Sequence, residues 1–179
     1  MQEQHPDQRI RVLFEDEARL GQQGTLTRVW ARTGSRPTVI KQTEYQWLHI
    51  WAAVEAGSGE SWTLLTPDLN TPRMNTLLAG ISATLEENDL AVLVLDNAGW
   101  HRSKALAVPA NIVLLFLPPY SPELQPAERL WAWMRSHHLS NRVYADYDDM
   151  FKVADAALQT LDQSRLKTLC ACSWLAPQN

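Results

Sequence analysis

Residues 91–96 read Ala91-Val92-Leu93-Val94-Leu95-Asp96, an unbroken apolar run that ends on a carboxylate. A strand with one wet face alternates apolar and polar; a strand covered on both faces does not. The run therefore predicts a strand buried on both sides. Residues 111–117 (NIVLLFL) form a second such run and stop at Pro118-Pro119, because proline cannot extend a central ladder. Two such runs imply a sheet with helices packed on it. Asp96 then lies beyond the carboxyl end of a strand, where ligands gather in open α/β sheets.

Working outward, residues 9–14 (RIRVLF) alternate, with Ile10, Val12 and Phe14 on one face, and predict a strand ended by an acidic turn, Glu15-Asp16-Glu17. Residues 28–32 and 37–41 predict a hairpin across Thr33-Gly34-Ser35. Residues 46–54 (QWLHIWAAV) predict a strand closed by Gly57-Ser58-Gly59, and residues 61–66 continue the sheet. Thr71 as N-cap and Pro72 at the first helical position open a helix carrying Met74, Leu77, Leu78, Ile81 and Leu85. A second helix is expected from about Pro126, with Ala127, Leu130, Trp131 and Met134 on its core face. Asp146 caps a third, with Met150, Val153, Ala154, Ala157, Leu158 and Leu161 at periods of three and four. This order predicts an α/β fold: an RNase H-like mixed sheet, antiparallel in its first strands and parallel in its later ones, flanked by helices. Residues 9–163 are expected to form one domain, after a disordered or extended N-terminus (1–8) and before a C-terminal tail (164–179).

The length of 179 residues suits one domain with a full core. No stretch approaches the ~20 apolar residues that span a bilayer. The polar start MQEQHPDQRI carries no secretory h-region, so the expected compartment is the cytoplasm. Cys170 and Cys172 have no partner cysteines or spaced histidines and read as free thiols of a reducing compartment. The net charge of −4 does not advertise a nucleic-acid binder. A site built on carboxylates is itself acidic, however, and bound divalent cations reverse its local sign. Arg28, Arg32, Arg36 and Lys41 cluster in one segment, and Arg129, Arg135, His137, His138 and Arg142 in another. Each cluster reads either as a track for a phosphate backbone or as a solvated face.

Asp16, after the first strand, and Asp96, after the buried run, converge if those strands are neighbours. Like charges held close need a neutralising cation, and carboxylates suit Mg²⁺ or Mn²⁺. Glu128 adds a third carboxylate, flanking the apolar stripe of its helix, with Trp131 and Ala132 three and four residues on. Taken singly, each reads as a turn, cap or helix-surface acid. Together they fit two-metal phosphoryl chemistry, with cations about 3.5–4 Å apart.

Three segments carry a family resemblance: Phe14-Glu15-Asp16-Glu17-Ala18-Arg19; Leu95-Asp96-Asn97-Ala98-Gly99-Trp100-His101; and residues 117–131, LPPYSPELQPAERLW. Over residues 9–163 the chain resembles the DDE catalytic domain of the mariner-like transposases, in the branch found in bacterial insertion sequences. The resemblance implies an RNase H-like fold, Mg²⁺-dependent cleavage at transposon ends (Mn²⁺ substituting, two ions) and strand transfer into target DNA. It places the catalytic and metal-binding triad at Asp16, Asp96 and Glu128. It sets Asn97, Trp100 and His101 beside the second carboxylate, where His101 contacts a phosphate or orients a metal ligand. Trp100, Arg129 and Arg135 are candidates for touching DNA. A homodimer is expected by resemblance, as is DNA as partner. Family members carry helix-turn-helix modules for end recognition. No room for them precedes residue 9, so the expectation is a truncated copy, an excised domain, or a separately encoded half that works with a helix-turn-helix recognition subunit. A catalytically silent remnant that binds DNA or such a subunit is the alternative. Where the family has asparagine, this chain has Gln125. Tyr120 is expected to pack in the core, as are Trp47, Trp51 and Trp131.

Overall fold

The computed structural model describes residues 5–175. Its strands are β1 (Arg9–Gly21), β2 (Trp47–Glu55), β3 (Ser61–Thr66), β4 (Asp89–Leu95) and β5 (Ile112–Phe116); its α-helices are α1 (Thr71–Thr84), α2 (Ala127–Met134), α3 (Tyr147–Gln159) and α4 (Gln163–Leu169). The sheet order is β3-β2-β1-β4-β5. β1, β2 and β3 pair antiparallel, whereas β4 pairs parallel with both β1 and β5. This is the mixed, RNase H-like arrangement expected. All seven residues of β4 are buried, as the run at 91–95 requires.

Two-residue alternation divides the core into two layers. Leu13, Trp51 and Leu93 face α1, packing on Met74, Leu77, Leu78 and Ile81. Phe14, Ala52 and Val94 face the other way, onto Trp131 and Met134 of α2, Met150 and Ala154 of α3, and Leu166 of α4. Asp146 caps α3 by accepting from the Asp149 amide at 2.8 Å. Trp51 and Trp131 are buried as expected. Trp47 is half-buried, with the Arg19 guanidinium 4.0 Å from its ring centroid. Cys170 is buried and Cys172 half-buried, both as free thiols.

Several local expectations are corrected. β1 does not end at Glu15-Asp16-Glu17 but runs through it to Gly21, because β2 pairs with it continuously from Leu13 to Gly21. The hairpin at 28–41 does not form. That segment has a single turn, with the Ser35 amide donating to the Arg32 carbonyl at 2.9 Å. Its apolar side chains find no layer to cover them: Val29, Trp30 and Ile40 stay exposed. The segment is anchored at its base, where the Gln42 amide group bridges the Tyr144 carbonyl and amide at 2.6 and 2.7 Å. β5 is an edge strand rather than one buried on both faces, and Leu115 is exposed. The N-cap of α1 is Asn70, not Thr71; its side chain accepts from the Arg73 amide at 3.0 Å and shifts Pro72 one position inward. Downstream of α3, Gln163–Leu169 fold as α4, which buries Leu166.

Among the described residues no helix is long and apolar enough to cross a membrane. Residues 1–4 and 176–179, parts of the expected N-terminus and tail, lie outside the described residues.

Candidate active site

The pairing register brings the first two carboxylates together. Phe14 is the last β1 residue paired with β4, opposite Val94. Two residues further along β1, Asp16 stands beside the end of β4, which Asp96 directly follows, and both side chains line the same cleft. Asp16 is therefore not beyond a strand end. It sits mid-strand in β1, at the point where β4 stops and opens a cleft. Alternation aims Asp16 at the α2 face and leaves Glu15 and Glu17 on the α1 face.

Glu128 enters from the first turn of α2, where the helix dipole favours an anion. The turn before α2 is tied to the sheet by Gln125, which is buried and donates through Nε2 to the Glu15 carbonyl at 2.8 Å. Glutamine in place of the family's asparagine thus reaches β1 directly. Asp16, Asp96 and Glu128 all line one cleft of about 460 Å³, together with Asn97, Ala98, Gln125 and residues 117–122.

Each acid is held differently. Asp16, half-buried on the floor, accepts from Trp131 Nε1 at 3.0 Å. Burial pushes its carboxyl up to about 7; the Glu17 amide and Trp131 pull it down, while the Glu128 and Glu17 carboxylates add to the rise. The side chain of Asp96 is 60% exposed, yet fixed: Oδ1 accepts from the Ala98 amide at 2.8 Å and lies 2.9 Å from His101 Nδ1. Glu128 is exposed to the cleft. Three carboxylates on one wall, one of them resisting ionisation in the presence of the others, form a donor set of the type that binds a hard divalent cation.

The remaining expected residues fall in varied places. Asn97 bridges the strand ends: Nδ2 donates to the Leu117 carbonyl at 2.7 Å, and Oδ1 accepts from Arg102 Nε at 2.8 Å. His101 is buried behind Asp96 and touches no open surface. Its Nε2 lies 3.2 Å from both Glu15 Oε2 and Glu17 Oε1. Burial opposes charge on its ring, but those two carboxylates outweigh it and push the imidazole up to about 10. Burial in turn pushes Glu15 up to about 8, with His101 pulling against it. Trp100 is half-buried; its Nε1 donates to Glu17 Oε1 at 2.6 Å and its ring meets Trp51 edge-on. Arg129 donates to the Ala171 carbonyl at 2.5 Å. Arg135 lines a separate, smaller cleft with Arg19, Trp47 and Trp131.

Tyr120 corrects the packing expectation. It is fully exposed on the cleft and holds φ at 59°, a left-handed conformation that non-glycine residues seldom adopt. Strain of this kind gathers at functional sites. Residues missed in the sequence are Glu15, Glu17 and Trp131 as partners of the site. The three consecutive acids Glu15-Asp16-Glu17 break the apolar alternation and resemble a turn, and the partnership of Trp131 with Asp16 carries no local signal.

A five-stranded mixed sheet with acids gathered where its parallel strands end defines an RNase H-like class of fold. The chain belongs to the DDE superfamily endonuclease family, whose sequence model matches residues 11–151. It is 44% identical over 115 residues to an uncharacterized protein, y4pE/y4sA, of Sinorhizobium fredii, covering 64% of this chain and 85% of that one. Among solved structures it is similar to the Mos1 mariner paired end complex with Mn (TM-score 0.66, 18% identity, 89% of this chain and 51% of that one). It is also similar to the Mos1 strand transfer complex (TM-score 0.62, 18% identity, 89% of this chain and 50% of that one). At that identity the likeness is one of fold, and the chain spans about half the length of those chains.

Proposed function

We propose that this chain is the catalytic domain of a transposase, cleaving DNA at transposon ends and transferring the freed strand into target DNA. The carrying observation is that Asp16, Asp96 and Glu128, from three separate elements, line one cleft at the carboxyl end of β4. Membership in the endonuclease family supports this reading. So do the printed descriptions of the Mos1 complexes, which include a strand transfer complex and paired end complexes with Mn and with Mg.

In this reading Asp16, Asp96 and Glu128 hold two divalent cations, Mg²⁺ with Mn²⁺ able to substitute. When bound, the pair supplies activation of a water or 3′-hydroxyl and charge stabilisation at the leaving oxygen. The protein's task is positioning. Trp131 fixes the rotamer of Asp16, and the Ala98 amide and His101 fix that of Asp96. The proline-rich turn and Gln125 fix the start of α2, hence Glu128. Tyr120, aromatic and free on the cleft, is placed to stack on a base of the bound strand. The partners in this reading are transposon-end and target DNA and a second copy of the chain, acting in the cytoplasm.

The test is nicking of supercoiled plasmid in Mg²⁺ or Mn²⁺, with Asp96→Ala alongside. Metal-dependent nicking lost in the variant is expected. Equal nicking by both proteins rejects the assignment. Asp96-dependent metal uptake with no DNA processing, even alongside a recognition subunit, points instead to a silent binding module.

A further inference from the structure

On the α1 face of β1, behind the catalytic cleft, Glu15, Glu17 and His101 bring one ligand atom each to within 4.8 Å of one another. All three side chains are at least nine-tenths buried: Glu15 is 0% exposed, His101 1% and Glu17 7%. Glu15 is the anomaly. Neither of its carboxylate oxygens has a hydrogen-bond partner, and neither does His101 Nε2. A carboxylate removed from water without donors is among the most expensive groups a fold can hold. Nε2 lies 3.2 Å from Glu15 Oε2 and from Glu17 Oε1, close to both but aligned for a hydrogen bond with neither. The three side chains thus bring one potential ligand atom each to one small buried space.

We propose that Glu15, Glu17 and His101 form a buried binding site for a Zn²⁺-class divalent cation, separate from the cations of the catalytic cleft and independent of the catalytic reading. Three features support it. The 3.2 Å separations match the edge of a ligand tetrahedron, about 3.3 Å for metal–ligand bonds of about 2.0 Å. Two carboxylates and a neutral imidazole sum with a divalent cation to zero charge, which resolves the burial of Glu15. The surroundings are those of a metal ligand shell: His101 turns its other nitrogen to Asp96 Oδ1 at 2.9 Å, and Trp100 Nε1 holds Glu17 Oε1 at 2.6 Å. With one donor from each side chain, a water molecule would complete the four-coordinate set. The imidazole would ligate as the neutral ring through Nε2. The cation would fix the ring that holds Asp96.

The experiment uses the full chain with Asp16→Asn and Glu128→Gln, which disable the catalytic acids and leave this cluster intact. The chain is stripped with chelator, supplied with Zn²⁺ and desalted, and its metal content is measured. About one retained Zn²⁺ per chain is expected. Adding Glu15→Gln or Glu17→Gln should lower affinity by more than the roughly 10–100-fold that loss of an outer partner produces, with the fold checked by circular dichroism. If those additions fail to fold, Co²⁺ absorption of the parent variant decides: strong visible bands of a four-coordinate site support the proposal, and a weak six-coordinate spectrum overturns it. A folded parent that retains no Zn²⁺, or unchanged retention after Glu15→Gln, also overturns it. So does an NMR spectrum in which both His101 ring nitrogens stay protonated with Zn²⁺ present.

Discussion

Asp16→Asn should stabilise the metal-free chain while abolishing catalysis. Burial, with Glu128 and Glu17 nearby, raises the Asp16 carboxyl from an ordinary 3.8 to about 7. Folding therefore raises the pKa. The folded chain keeps a proton that the unfolded chain has released. The stability associated with this group is fully present below about pH 4 and is lost as pH rises to about 7. At about 1.4 kcal/mol per unit of pKa difference, the gap sets a ceiling of about 4 kcal/mol. Relaxation and water entry at a half-exposed cleft bring this to about 2 kcal/mol. Asparagine keeps the shape and still accepts from Trp131 Nε1, but never ionises. In urea melts with chelator present, Asp16→Asn should be more stable by about 2 kcal/mol at pH 8, with the advantage vanishing towards pH 4. Adding Mg²⁺ should narrow the difference, because the cation binds the parent alone. A variant equally or less stable at pH 8 would show that Asp16 does not face other acids in a poorly solvated site.

Asp89 is buried and paired bidentately with Arg9 at 2.6 and 2.8 Å, with Arg11 at 3.4 Å. Hydrogen bonding to Arg9 holds its carboxyl down at about 2. That stability is present above about pH 4 and lost as pH falls through 2, and Asp89→Ala should remove about 2–3 kcal/mol in neutral urea melts. Gly59 has φ of 78°, and a Cβ there would collide with the Gln163 carbonyl oxygen at the start of α4. Gly59→Ala should lower stability by about 1–3 kcal/mol, read as a lower Tm. Tyr120→Ala, introduced into the nicking-dead Asp96→Ala chain, should weaken single-stranded DNA binding about tenfold by fluorescence anisotropy, and Tyr120→Phe should not. Equal loss in both would assign the effect to the hydroxyl rather than to stacking.

Long, strongly patterned elements were legible in the sequence. The run ending at Leu95, the stripe of α1 and the Asp146-capped α3 stand where periodicity puts them, because each carries its own burial signature. Asp96 follows a strand end and Glu128 opens a helix, positions that composition marks, whereas Asp16 lies mid-strand where the sequence suggests a turn. What stayed hidden depends on partners distant in sequence. Glu15-Asp16-Glu17 looks like a turn until β2 is known to pair straight across it. Residues 28–41 carry hairpin chemistry but meet no sheet that would reward pairing. An apolar run cannot reveal that β5 lies at an edge. The roles of Trp131 and His101 follow from register across the sheet, which no local pattern encodes. An aromatic such as Tyr120 more often packs than stacks, but here the left-handed turn presents it to solvent.

The most direct test is anomalous diffraction from crystals of the chain soaked in Mn²⁺, measured at the manganese edge. The account predicts density in the cleft between Asp16 and Asp96, with Glu128 within reach, and its loss in Asp96→Ala. A clean map in which the three carboxylates share no manganese would contradict it.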